Sequence, residues 1–432
     1  MFNNMYSIRR VKARQIFDSR GNPTIECELK TGFGRFMASV PSGASTGSKE
    51  AVELRDGEKE FNGLGVKNAI RNINEILSVA VQGLDCREQK KIDDILIKED
   101  NTDNKSKLGA NSLLAVSMAC AKAGSIASKK ELFQYVSDLS GRKPVLPVPA
   151  LNIINGGKHA GNELDFQEYQ LIPTKFKSFN EAFSAGVTVF HELKKNLQKD
   201  YGKNAINVGD EGGFAPQMNK VEEPLDEILK AIETTGYEKE IFLAMDVAAS
   251  SFSKKQDDGK ITYLVEGHTL TKEQLLIEYE SLLDSYKIVS IEDPFDENDF
   301  DGWKQMCSKL GKRIQIVGDD LTVSQSKFIK KAIDQELANA LLLKINQVGT
   351  ITEAIESANL AFSNGWQVQV SHRSGETNEK FIADLAVGLG NGQIKSGAPC
   401  RGERLAKYNQ LLKIEEDYSI PFIGKNAFSK MK

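Results

Sequence analysis

Six short apolar runs in the C-terminal half of the chain each lead into a charged or polar side chain. Asp246 closes IFLAMD, Glu292 closes YKIVSIE, Asp319 closes IQIVGD, Lys344 sits in ALLLKINQ, His372 in SHRSGE and Lys395 in IKSGAP. Three carboxylates on adjacent strand ends repel one another unless a hard divalent cation neutralises them, and Mg2+ suits all-oxygen ligation with positions left open for substrate. One such acid alone reads as a helix N-cap; three in succession read as a metal site. Strand alternation sends neighbouring side chains to opposite faces, so Asp319 is expected to ligate rather than Asp320, and Glu292 rather than Asp293.

Lys344 lies in an apolar strand, where a lysine needs either a carboxylate partner or a function. Beside Lys395 and a metal ion its pKa is expected to fall, making it a neutral base near pH 7. The bland alternative is a structural salt bridge to Asp320 or Glu292. His372, Arg373 and Ser374 form a compact set of donors suited to a phosphate or carboxylate, and Lys395 adds a second ammonium. The glycine-rich loops GGKHAGN (156–162) and NVGDEGGFAP (207–216) carry His159 and Glu211, although such loops in isolation are more often plain turns. Glu168, in FQEYQ, is expected near Glu211, and two carboxylates sharing a site push one pKa up, as a general acid requires. SGASTG (42–47) reads as a linker or as a mobile lid over the site.

These residues need a scaffold that brings strand ends together. From Glu292 to Asp319, Lys344, His372 and Lys395 the steps are 27, 25, 28 and 23 residues, each the length of one strand plus one helix. Repeated units of that kind close into a β/α barrel whose C-terminal strand ends build the active site. The expected fold is α/β: a TIM-like barrel with an irregular start, two strands and two helices before the regular units. Its early elements read as strands at 147–154 and 166–172 and helices near 179–198 and 221–235. A small α+β domain precedes it. SIRRVKARQIF, PTIECELK and GRFMASV read as a three-stranded meander over 7–40, with Ile25, Cys27 and Leu29 alternating with polar neighbours. Helices follow near 66–83, 88–98, 109–128 and 131–139. Pro144, Pro147 and Pro149 mark the boundary, giving an N-terminal capping domain at 1–140 and a catalytic barrel at 145–432.

The 432 residues carry 56 basic and 60 acidic side chains, a net charge of −4, without a basic stripe of the kind that grips nucleic acid. Five scattered cysteines without a CxxC pair suggest reduced thiols in a cytoplasm. The N-terminus has no apolar signal region. The most apolar stretch, 110–127, carries Asn111, serines and Lys122, and reads as a buried helix rather than a membrane span.

Taken together, SRGNPT, VPSGASTG, NKSKLGAN, LNIINGGKHAGN, VGDEGGFAP, MDVAAS, SIEDPF, GDDLTV, LLLKINQ, SHRSGET and IKSGAP resemble the enolase family in order and spacing, from about residue 7 to 423. The resemblance implies reversible dehydration of 2-phospho-D-glycerate to phosphoenolpyruvate, in glycolysis and gluconeogenesis. It implies two Mg2+ per site, the second arriving with substrate: Asp246, Glu292 and Asp319 for the first, Ser45 for the second. Lys344 would take the C2 proton and Glu211 would protonate the departing C3 hydroxyl, with Glu168 and His159 beside it. His159, Gln167, Glu168, His372, Arg373, Ser374, Lys395, Ser42, Gly43 and Ala44 would contact substrate. It further implies a cytoplasmic homo-oligomer, dimer or octamer. Two other readings stand against this one: a barrel dehydratase or racemase of non-phosphorylated acid sugars, and a binding protein with a second role at surfaces or on nucleic acid. Lys432, the final residue, is the one feature bearing on surface binding, as the kind of terminus that lysine-binding domains capture. KKQDDGK (254–260) reads as a polar insertion.

Overall fold

The computed structural model describes residues 5–43 and 47–428; Ala44, Ser45 and Lys432 lie outside the described residues. The N-terminal meander forms as its alternation predicts. Strands β1 (Arg10–Phe17), β2 (Pro23–Lys30) and β3 (Arg35–Ser39) pair antiparallel, with Ile25, Cys27 and Leu29 of β2 fully buried. The helix predicted over 66–83 is interrupted. A π turn at Ile73–Leu77 separates α1 (Lys67–Asn72) from α2 (Ser78–Ala80). Asn74 in that turn accepts the Ala13 N–H at 2.8 Å and returns a bond to its carbonyl, so the widened turn seals the edge of β1.

Helices α3 (Gln89–Asp100), α4 (Ala110–Ala127) and α5 (Leu132–Ser140) complete the cap. Helix α4 is buried on almost every side because its alanines, serines and Gly124 admit close neighbours; a Cβ on Gly124 would stand 2.7 Å from the Cys86 carbonyl. It packs on β2 and β3 on one side and reaches barrel helix α11 on the other, while α5 packs on α12.

The barrel opens with β4 (Val148–Asn155) and β5 (Glu168–Pro173), then α6 (Phe179–Asp200) and α7 (Glu222–Thr235), then β6 (Ile241–Asp246). No α-helix joins β4 to β5, and β5 runs antiparallel to both β4 and β6. The polar stretch at 254–260 is the first turn of a small antiparallel sheet on the barrel's flank, β7 (Ser253–Lys255), β8 (Ile261–Val265) and β9 (His268–Leu270). From there the beat is regular: α8 (Lys272–Ser285), β10 (Ile288–Glu292), α9 (Phe300–Leu310), β11 (Gln315–Gly318), α10 (Ser326–Asp334), β12 (Ala340–Leu343), α11 (Ile351–Ser363), β13 (Gln367–Ser371), α12 (Phe381–Leu389), β14 (Gln393–Lys395) and α13 (Gly402–Asp417). The closed order is β10-β11-β12-β13-β14-β4-β5-β6.

Inside the barrel, Gln315 and Gln393 exchange amide bonds of 2.9 and 2.7 Å, and Gln315 also donates to Ser290. A separate apolar plug of Val148, Ala150, Ile172, Ala244 and Val289 is closed by Ala427 and Phe428. The catalytic rim therefore stands on a filled interior. Among the described residues, no helix is long and apolar enough to cross a membrane.

Candidate active site

The reversed direction of β5 puts its first residue, Glu168, on the same rim as the last residues of the parallel strands. Glu168 pairs in register with Asp246, and Asp246 with Glu292, so three carboxylates sit side by side. Lys395, the last residue of β14, reaches all three: Nζ is 3.1 Å from Glu168, 2.9 Å from Asp246 and 2.8 Å from Glu292. Burial pushes this ammonium down, but its carboxylate neighbours, Asp246 foremost, more than offset it and hold Lys395 well above the ordinary lysine value.

Across the mouth, Lys344 pairs with Asp319, whose other oxygen accepts from Gln347 at 2.9 Å. The fall expected for Lys344 is tied to a metal ion beside it; the protein's own groups act in the other direction. Burial is the largest influence and depresses it, yet the Asp319 and Glu292 carboxylates together outweigh burial, Arg373 and Lys395, and Lys344 is raised. Its partner is also Asp319 itself, not Asp320 or Glu292. Asp293 accepts the backbone N–H groups of Asp319 and Asp320 at 2.8 and 2.9 Å, which ties the two strand ends together.

The oxygens of Asp246, Glu292 and Asp319 do not form one of the close groupings among the described residues; those are His159, Glu168 and Glu211, and Asp293, Asp319 and Asp320. The donor chemistry nevertheless fits a divalent cation. Burial and then the Asp246 charge push Glu292 well above the carboxylate range, despite Lys395, and its Oε1 has no hydrogen-bond partner among the described residues. A surplus of buried negative charge with an unpartnered oxygen is what a hard cation relieves. Gln167 donates to Asp246 at 3.3 Å from beside the cluster.

Glu168 and Glu211 split as two neighbouring carboxyls should, but not in the sense expected for an acid at Glu211. Burial and the Glu211 charge push Glu168 well up. Burial alone would raise Glu211 too, yet its neighbours hold it well below the usual range. His372 Nε2 stands 3.3 Å away, His159 Nδ1 3.6 Å, and Asn152 donates to Oε2 at 3.0 Å. Both imidazoles are themselves lowered by burial, His372 to about 4, so they are neutral at pH 7. The electrostatic pull of His372 foremost, then of His159 and Arg404, holds Glu211 down. Of the pair, Glu168 is the carboxyl pushed up and Glu211 the one held down.

Arg373 is bidentate on Glu50 of the small domain, at 2.9 and 3.2 Å, and bonds Asn346 at 3.1 Å. Gly43 lies against it: a Cβ there would stand 1.9 Å from Arg373 Nη2, so a side chain at this position would have to displace the guanidinium. Ser42 exchanges backbone bonds with Gly375, and its hydroxyl engages Glu53 and Arg55, so this side chain holds the loop. Ser374 and Lys344 line the same small cavity, about 20 Å3, as His159, Gln167, Glu168, Glu211, Asp246, His372, Arg373 and Lys395. A larger cleft lies elsewhere, between β1–β3, α5 and the 376–381 loop.

Sequence reasoning passed over Glu50, Asn152, Gln347 and Arg404. Gln347 had a usable signal, lying three residues after Lys344 in KINQ. Glu50 and Arg404 act on the site from far along the chain, and nothing local marks them.

Residues 143–431 match the family model described as enolase, C-terminal TIM barrel domain, and residues 8–136 match the enolase N-terminal domain. The enolase of Methanocaldococcus jannaschii is 52% identical over 423 residues, covering 98% of each chain. The enolase of Methanococcus aeolicus is 50% identical, covering 98% of this chain and 99% of its own, and that of Methanopyrus kandleri is 51% identical over 96% of both. With both domains and nearly the whole length accounted for, the chain belongs to the enolase family of hydro-lyases.

Proposed function

We propose that this chain interconverts 2-phospho-D-glycerate and phosphoenolpyruvate, with Lys344 as the base at C2 and Glu211 as the acid at the C3 hydroxyl. The observation that carries the reading is that a single cavity is lined by half-buried Lys344 and by the buried Glu168–Glu211 pair. Eliminating water across adjacent carbons needs a base for one and a proton donor for the other.

Asp246, Glu292 and Asp319 hold the first Mg2+, and Ser45 contributes to the second. The two ions, when bound, supply Lewis-acid stabilisation of the dianionic enolate that forms when a proton leaves beside a carboxylate. Asp319 would share its charge with a bound cation, and Arg373 and Lys395 both depress Lys344. Lys344 Nζ then takes the C2 proton. Glu211 delivers a proton to the C3 oxygen, which leaves as water, and draws that proton from Glu168. Lys395 keeps its charge and faces the developing enolate, and Arg373, Ser374, His372, His159, Gln167 and the 42–44 segment hold the substrate. Residues 1–140 act as the cap and 145–432 as the barrel of a cytoplasmic homo-oligomer.

Purified protein with 2-phosphoglycerate and Mg2+ should develop the ultraviolet absorbance of an enol phosphate; a flat trace with metal present sinks the reading. Higher activity on a non-phosphorylated sugar acid favours the alternative barrel dehydratase.

A further inference from the structure

Arg404, in the first turn of α13, is a charged side chain with no exposed surface. Four acceptors from two loops surround its guanidinium. Nη1 meets His372 Nδ1 and the Arg373 carbonyl, both at 2.6 Å, and Nη2 meets the carbonyls of Ser374 at 2.5 Å and Asp210 at 3.0 Å. The carboxylate beside it is Glu403, 3.4 Å from Nε.

A guanidinium has donors and no acceptor and stays protonated in proteins. The nitrogen that faces it must offer a lone pair, so His372 carries its hydrogen on Nε2. That nitrogen stands 3.3 Å from Glu211 Oε2. Packing keeps the three groups in place: at Gly397 (φ +77°) a Cβ would meet the Glu211 carbonyl at 2.6 Å, Arg404 Cδ at 3.0 Å and His372 Cε1 at 3.2 Å. Ala398 donates its N–H to that same Glu211 carbonyl at 2.9 Å.

We propose that Arg404 is a positioning residue of the dehydration: it holds His372 in the tautomer whose Nε2–H faces Glu211, and it ties the loop bearing Glu211 to the loop bearing Arg373 and Ser374. Without it, the imidazole is free to move its hydrogen to Nδ1 and turn a lone pair toward the Glu211 carboxylate, which repels it. The inference rests on the role given to Glu211 above, and extends it one residue outward.

The wild-type protein provides the first test. Long-range 15N–1H correlation spectra of 15N-histidine-labelled protein, with His372 assigned among the four histidines by comparison with His372→Gln, should show a bare Nδ1 and a protonated Nε2. A proton on Nδ1 overturns the proposal without any Arg404 variant. Arg404→Met should then show mixed tautomers at His372 and a kcat lowered about 100-fold, a larger change than any rise in KM. Arg404→Lys, which still offers Nδ1 a donor, should retain the Nε2–H tautomer and restore part of the rate. A folded Arg404→Met with unaltered tautomer or unaltered kcat overturns the proposal; if that variant fails to fold, the wild-type spectrum and Arg404→Lys decide it. Should the tautomer be as stated while Glu211→Gln retains full activity, the role of Glu211 fails and the tautomer assignment stands.

Discussion

The ends of β12 and β14 each present one lysine to the same cavity, Lys395 buried and Lys344 half-buried, and their partners differ. Lys395 is enclosed by Glu168, Asp246 and Glu292, whereas Lys344 has Asp319 as its ion-pair partner. Three acidic side chains, Asp246 foremost, hold the Lys395 ammonium well above the ordinary lysine value. One ion-pair partner leaves the Lys344 charge conditional, because a single competing event at Asp319 weakens what holds it. In the proposed mechanism the same residue type is a fixed positive charge at one strand end and a convertible base at the other, and the number of acidic neighbours sets the difference.

The comparison breaks most visibly in the chemistry. Lys344→Ala should abolish exchange of the C2 proton with solvent and lower kcat by about 10²- to 10⁴-fold, with the fold intact by circular dichroism. Exchange that survives would show that Lys344 is not the base. Stability separates the two lysines in the opposite direction. Lys395→Met strands three carboxylates and should destabilise the protein by about 3–5 kcal/mol in urea titrations, against a smaller loss for Lys344→Met; equal losses would remove the distinction.

Mg2+ sharpens the contrast at Asp319. At about 100 times its dissociation constant a cation that binds only the folded state adds about 2.7 kcal/mol, so the melting temperature should rise with Mg2+ in the wild type and stay flat in Asp319→Asn. A rise in both would move the ion elsewhere. The smallest effect is alkaline. Both lysines are raised in the folded state, Lys395 the more strongly. Their stabilisation is therefore complete below the unfolded lysine value, about 10.4, and disappears as pH climbs through the folded values, Lys344 releasing first. Denaturant midpoints above pH 10 should decline sooner in the wild type than in Lys344→Met, and parallel curves would contradict that order.

Much of this site is legible in the residues because strand-end positions repeat at a step that one strand and one helix dictate. Asp246, Glu292, Asp319, Lys344, His372 and Lys395 fall at or just past the ends of β6 and β10–β14. The direction of β5 was not legible. All six of its residues are buried, so no alternation distinguishes its faces, and the short path from Asn155 to Glu168 fixes its sense only once the barrel closes. Nor was the sense of the Glu168–Glu211 split: proximity predicts that one carboxyl rises, but the lower one is chosen by His372, His159 and Arg404, gathered from three distant segments. The small sheet β7–β9 went unread for a similar reason, its strands being three to five residues long and polar on one side.

By itself the sequence determined the family, the barrel, the identity of the charged strand ends and the acidic character of the metal site, because those follow from residue type and local spacing. Tertiary structure alone decided which carboxyl of the Glu168–Glu211 pair is pushed up, that Lys344 rests on Asp319, that Glu50 holds Arg373 and that Arg404 sets the face of His372. Each of these depends on distances of a few ångströms between residues far apart in the chain, where burial strengthens every electrostatic contact and one added or missing neighbour reverses the balance.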